Sequence, residues 1–193
     1  MDVFDEDAEP FDLTDSADSA QTPDDDDDYD LDDATEEEID FVIEVHREDG
    51  VPTGSVLPSD LANDLDELIT HLQRVPGDAG SIGMVSVDGE FFVICRVRGR
   101  MVQVLLSDVA AATDWPLARD VVDYLGEEQP DEDEDSAPIG DLDIFADIGV
   151  PSFEVEQLAS NYEEDSDEVL AMIAKRLRLE AIFERLVEAY DNQ

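Results

Sequence analysis

Residues 85–99 read VSVDGEFFVICRVRG, and the fold is decided there. Asp88-Gly89 is a two-residue hairpin signal, because both central positions of a type I′ turn need positive φ. From Glu90 to Arg98 the chain reads as a strand. Phe91, Val93, Cys95 and Val97 share one face, while Phe92 and Ile94 begin the other, which ends in Arg96 and Arg98. Ile82 to Val87 is the preceding strand, and Gly99 turns the chain into Met101 to Leu106. A three-stranded antiparallel meander is therefore expected.

This meander belongs to a nearly neutral island. Ser81 to Gly126 holds 6 acids and 4 arginines, in a chain of 193 residues with a formal net charge of -45. The first 40 residues hold 20 acids and no base, with Asp24 to Asp28 unbroken. Such a block repels itself and has too little apolar surface to offset ordering entropy, so residues 1–38 read as a disordered acidic arm. Between arm and island, Phe41 to His46 alternates as a strand and Asp49-Gly50 supplies a turn. Val51 to Leu57 returns as a weak edge, demoted by Pro52 and Gly54. Ser59, after Pro58, is the expected N-cap of a helix whose stripe is Leu61, Leu65, Leu68, Ile69 and Leu72, closed by Pro76-Gly77.

After the meander, Ser107 and Asp114 are candidate N-caps. Pro116 falls in the first turn, Leu117, Val121, Val122 and Leu125 make a helix face, and Gly126 stops it. Glu127 to Asp135 carries 7 acids in 9 residues and reads as a linker. Leu142, Ile144, Phe145 and Ile148 then suggest a short helix ended by Gly149 and Pro151, with another turn or helix over Phe153 to Leu158. Asp165 with Glu168 reads as a capping pair ahead of Val169, Leu170, Ile173 and Leu177. The best amphipathic stripe is Leu179, Ile182, Phe183, Leu186, Val187 and Tyr190, and the apolar phase slips near Arg178, which favours a break. The expected architecture is α+β: an antiparallel sheet of four or five strands with helices on one face over 39–126, an acidic linker over 127–138, and an all-helical tail over 139–193.

One cysteine, no signal-peptide pattern and no apolar run near 20 residues point to a cytoplasmic chain without a membrane span. So large an acid excess disfavours direct nucleic-acid binding. His46-Arg47-Glu48 resembles half of a zinc nucleobase deaminase site, but the Pro-Cys-x-x-Cys partner is absent, and Cys95 alone cannot complete it. As a nucleophile Cys95 would need an activating base, and core filler is the better reading. The acidic runs lack the glycine and terminal glutamate of a calcium loop. Nucleic-acid mimicry would need those carboxylates on a rigid surface, so it is the weaker option. No catalytic, metal or cofactor-binding residue is assigned, and no cofactor is expected. Arg96, Arg98 and Arg100 are candidate contacts for an anionic group of a partner, set against pairing with the chain's own acids. Trp115 is either a packed anchor or an interface residue.

The stretches VSVDGEFFVICRVRG, LLSDVAAATDWPLA (105–118) and IGDLDIFADIGV (139–150) together resemble the tRNA adenosine deaminase-associated protein family of high-GC bacteria. The resemblance covers about residues 40–186. That family takes its name from a gene lying beside that of a tRNA adenosine deaminase, and it brings no catalytic residues to carry over. It implies a non-enzymatic accessory or regulatory protein, whose protein partner would be such a deaminase. The alternative is an acidic adaptor or chaperone-like protein with a partner unrelated to tRNA editing.

Overall fold

Asp88 and Gly89 both hold positive φ, 52° and 64°, in the computed structural model, which describes residues 31–193. The tight turn they make joins β3 (Ser81–Val87) to β4 (Phe91–Arg98) in full antiparallel register, with Val85 opposite Val93. Asp49 and Gly50 repeat the geometry, at φ 51° and 78°, between β1 (Ile39–Glu48) and β2 (Val51–Val56). With β5 (Met101–Leu106) and the two-residue β6 (Ile139–Gly140), the sheet has six antiparallel strands in the order β2-β1-β3-β4-β5-β6. The expectation of four or five strands is corrected by β6, which is too short to leave a periodic signal.

The helices within 39–126 lie on one face of the sheet, and the segment expected as a separate tail covers the other. Leu65, Leu68 and Leu72 of α1 (Leu65–Gln73) and Leu117, Val121 and Val122 of α2 (Pro116–Leu125) pack on the face carrying Val42, Val85, Val93 and Cys95. The opposite face carries Phe41, Ile43, Met84, Phe92 and Ile94. It is covered by α3 (Ser152–Ala159), α4 (Ser166–Arg176) and α5 (Glu180–Asp191). The reason is visible in β4: Phe91 to Cys95 is apolar at every position, so both of its faces must be removed from water. In α5, Phe183 meets Phe41 edge to face, with centroids 5.5 Å apart and planes at 88°. Gly54 lets α5 come this close. A Cβ there would run into the Glu44 carbonyl oxygen and lie 2.8 Å from Leu186 Cδ1.

A bulge at Asp40 re-aims the start of the sheet. Pairing between β1 and β3 shifts between Ile39 and Phe41, so Ile39 packs on one face while Phe41 packs on the other. The Asp40 carboxylate fills the irregularity by accepting from Ser86 Oγ at 2.8 Å and from Gly89 N at 2.9 Å. Residues 1–30 of the expected acidic arm lie outside the described residues. Within 31–38, Ala34 is buried and trades hydrogen bonds with the Asn63 side chain.

Local capping also differs from expectation. Ser59 opens only a 3-10 turn, and α1 starts at Leu65, capped by Asp64, which accepts from Glu67 N at 2.9 Å. Asp108, not Ser107, caps the 3-10 turn Val109–Thr113. Trp115 occupies the N-cap position of α2, with Pro116 first in the helix. The segment from Leu142 to Ile148 is turns and a 3-10 turn, not a helix, and Asp165 occupies the N-cap of α4 without a side-chain cap bond. The break between α4 and α5 lies at Arg178, with φ 58°.

Candidate functional site

Arg96 is the largest fully buried side chain in the described residues, 1% exposed in a sheet of apolar neighbours. A guanidinium can be held there only if its donors are met. Nη1 donates to Asp147 Oδ1 at 2.6 Å and to the Ile144 carbonyl at 2.6 Å. Nη2 donates to Asp147 Oδ2 at 3.0 Å and to the Ala79 carbonyl at 3.1 Å. The group also lies 6.0 Å from the Phe145 ring centroid, within cation–π reach. Arg96 thus pins the 141–150 segment to the sheet through a bidentate fork. Arg98 joins from the surface, donating to Asp147 Oδ2 at 2.9 Å and to Gln103 Oε1 at 3.1 Å. Arg100 is exposed in the turn that follows. Of these three arginines, Arg98 and Arg100 reach solvent and Arg96 does not.

The hydrogen bonds from Arg96 hold the Asp147 carboxyl below the usual carboxylate range. A carboxyl lowered in the folded state stabilises the fold above its ordinary value of 3.8, and that contribution is lost as pH falls through the lower folded value. Asp147→Asn should therefore have a lower urea midpoint than the parent at neutral pH. The two midpoints should converge as pH drops from about 5 toward 2. A gap that stays constant over that range would remove the ionised Asp147 from the network.

Glu44, which sequence reading passed over, is a second buried charge-bearing group, 1% exposed on β1. His46 Nδ1 lies 2.6 Å from its Oε1, and Ser55 Oγ donates to its Oε2 at 3.4 Å. Burial pushes the Glu44 carboxyl upward against those bonds. A lone Glu among apolar strand residues was the available signal. His46 is thereby engaged with a carboxylate, and among the described residues no three His, Cys, Asp or Glu side chains converge as metal ligands. Cys95 is buried and its thiol is pushed up to about 12 by burial, which leaves it without thiolate character at neutral pH.

Trp115 sits at the other end of β4. Its ring packs on Phe91 with centroids 6.0 Å apart, and its Nε1 donates to Glu90 Oε2 at 3.2 Å. It is half-buried, one side on the core and one side open. Glu90 also lines a cleft of about 360 Å³, together with Asp108, Tyr162, Glu164 and Asp165. The Tyr162 hydroxyl donates to the Ser107 carbonyl at 2.9 Å, and burial with the nearby Asp108 charge pushes it up to about 12. An aromatic anchor beside several carboxylates suits a basic protein surface better than a reacting small molecule.

Among the described residues no helix is long and apolar enough to cross a membrane. Residues 40–180 match the family model described as Rv3753c-like tRNA adenosine deaminase-associated protein. A relative, Protein Rv3753c of Mycobacterium tuberculosis (strain ATCC 25618 / H37Rv), is 33% identical over 153 residues, covering 76% of this chain and 88% of that protein. No solved structure matches.

Proposed function

The chain belongs to the Rv3753c-like tRNA adenosine deaminase-associated protein family, and on that premise we propose that it is a non-enzymatic accessory protein that docks on a tRNA adenosine deaminase. The observation that carries this reading is the half-buried Trp115 beside a cleft lined by Glu90, Asp108, Glu164 and Asp165. An enzyme that binds tRNA must present a basic face to phosphates, and such a face would meet this cleft with opposite charge. Complementarity of that kind speeds encounter, while a central aromatic supplies the short-range contact. Arg98 and Arg100, at the far end of β4, are proposed as further contacts for acidic groups of the partner. Arg96 supports that end of the strand from inside.

The test is binding of purified deaminase to the full chain across a salt series, with an unrelated basic protein of similar size as control. Affinity should fall steeply as salt screens the exposed charges, and tRNA should compete. Trp115→Ala should weaken the complex about tenfold or more, with the thermal transition retained. A deaminase that binds no better than the control at moderate salt would reduce the link to charge alone. Undiminished binding by a folded Trp115→Ala protein would move the contact elsewhere.

A further inference from the structure

Four of the ten lysine and arginine residues line one cavity, of about 440 Å³, at the opposite end of the sheet from Trp115. They are Arg47 of β1, Arg96 of β4, and Arg176 and Arg178 at the end of α4, and no carboxylate lines the cavity with them. Four other clefts among the described residues, that beside Glu90 included, each have at least one acidic side chain in their wall. In a chain with 55 acids this separation of charge is a specific feature of the fold.

The four charges are not equally compensated. Arg96 is matched by Asp147, and Arg176 by Glu154 at 3.4 Å. Arg47 donates only to carbonyl oxygens, those of Gly50, Leu177 and Arg178, at 3.2 to 3.4 Å. The exposed Arg178 guanidinium makes no hydrogen bond or ion pair among the described residues, and its φ of 58° holds it at the α4 terminus beside the cavity. Two positive charges are therefore left without a carboxylate. The Nε of the 1%-exposed Arg96 is a buried donor with no acceptor. Ile82 and Ile148 complete the wall with apolar surface.

We propose that this cavity is a binding site for a small phosphate monoester with an apolar body. Two uncompensated guanidinium groups match a phosphate monoester, whose charge at neutral pH approaches -2, better than a single carboxylate. The volume lies in the range of small-molecule sites, and the isoleucines give the non-phosphate part a surface to cover. The ligand is a small molecule and not a nucleic acid, because a polyanion would have to approach the whole negative surface while a monoester meets only this cavity.

Isothermal titration of the full chain at moderate salt tests the proposal, with phenyl phosphate as probe and inorganic phosphate and benzoate as comparisons. The expected result is saturable one-to-one binding of phenyl phosphate, tighter than either comparison. Arg178→Gln should weaken it about tenfold or more, since a charge-assisted bond is lost while an exposed side chain is all that changes. Arg47→Gln, checked for an unchanged thermal midpoint, should do the same, and Arg74→Gln on exposed surface elsewhere should leave affinity unchanged. Absence of saturable binding by phenyl phosphate would overturn the site. Benzoate binding as tightly would overturn the dianion, inorganic phosphate binding as tightly would overturn the apolar body, and full affinity in Arg178→Gln would overturn the location.

Discussion

Arg96→Met is expected to destabilise the fold by about 3 kcal/mol, read as a lowered urea midpoint at unchanged slope. Methionine fills much of the space but supplies no donor. The buried Ile144 carbonyl, accepting at 2.6 Å in the parent, would be left without a donor, while the Ala79 carbonyl belongs to an exposed residue and can turn to water. Asp147 is 40% exposed and can turn to water, so its loss adds little beyond that. Arg96→Lys should recover only part of the loss, because an ammonium cannot reproduce the two-oxygen fork on Asp147. If Arg96→Met were as stable as the parent, the 141–150 segment would be held by Phe145 and its apolar neighbours alone.

Phe183→Ala should cost the fold about 3 to 4 kcal/mol, the range for emptying a buried aromatic position. Phe183 is 4% exposed and its edge-to-face contact with Phe41 ties α5 to the sheet. The form of the melt matters as much as its midpoint. A single transition at lower denaturant would mean that 139–193 unfolds together with the sheet. An early separate transition, leaving the sheet melting where it did before, would show a helical tail able to come away by itself.

Much of the fold was legible because it rests on local chemistry. Asp-Gly pairs can take positive φ cheaply, so both hairpin turns fall where the sequence places them. The break near Arg178 follows from a slip in apolar phase. Coverage of the sheet was harder to see, although the signal lay in Phe91 to Cys95: a run apolar at every position demands cover on both sides, whereas the helices flanking the meander can cover one. What supplies the second cover is the segment from Leu142 to the end of α5 at Asp191, far along the chain, and one of the contacts that dock it is Arg96 with Asp147. No local pattern encodes that pair. Nor could spacing bring Arg47 to the Leu177 and Arg178 carbonyls, or into one cavity wall with Arg176, which happens because α4 ends over the end of β1. Ser59 misled for a different reason. Asp64 offers the stronger cap, and Asn63 just before it is engaged with Ala34, so the helix begins a turn and a half later.

The way the chain closes its sheet also constrains how it can meet other proteins. After the acidic stretch 127–135, Ala137 accepts from Val109 N, Ile139 and Gly140 pair with Leu106 and Leu105, and the Asp141 carboxylate accepts from Val104 N at 2.9 Å. The outer rim of β5 is thereby occupied from 104 to 109 by the chain's own backbone. At the opposite rim, β2 is only six residues long and Pro52 brings no N–H to offer. Strand addition, the mode by which many adaptors capture an extended peptide, is therefore blocked along the half of β5 from Val104 to Leu106 and weakened at Pro52 on β2. The same arrangement works against stacking of one copy on another, since any strand approaching β5 must also pass the seven carboxylates of the stretch beside it. Recognition through side chains and clefts, which salt and single substitutions can tune, is thereby favoured over a backbone ladder that would accept many sequences alike.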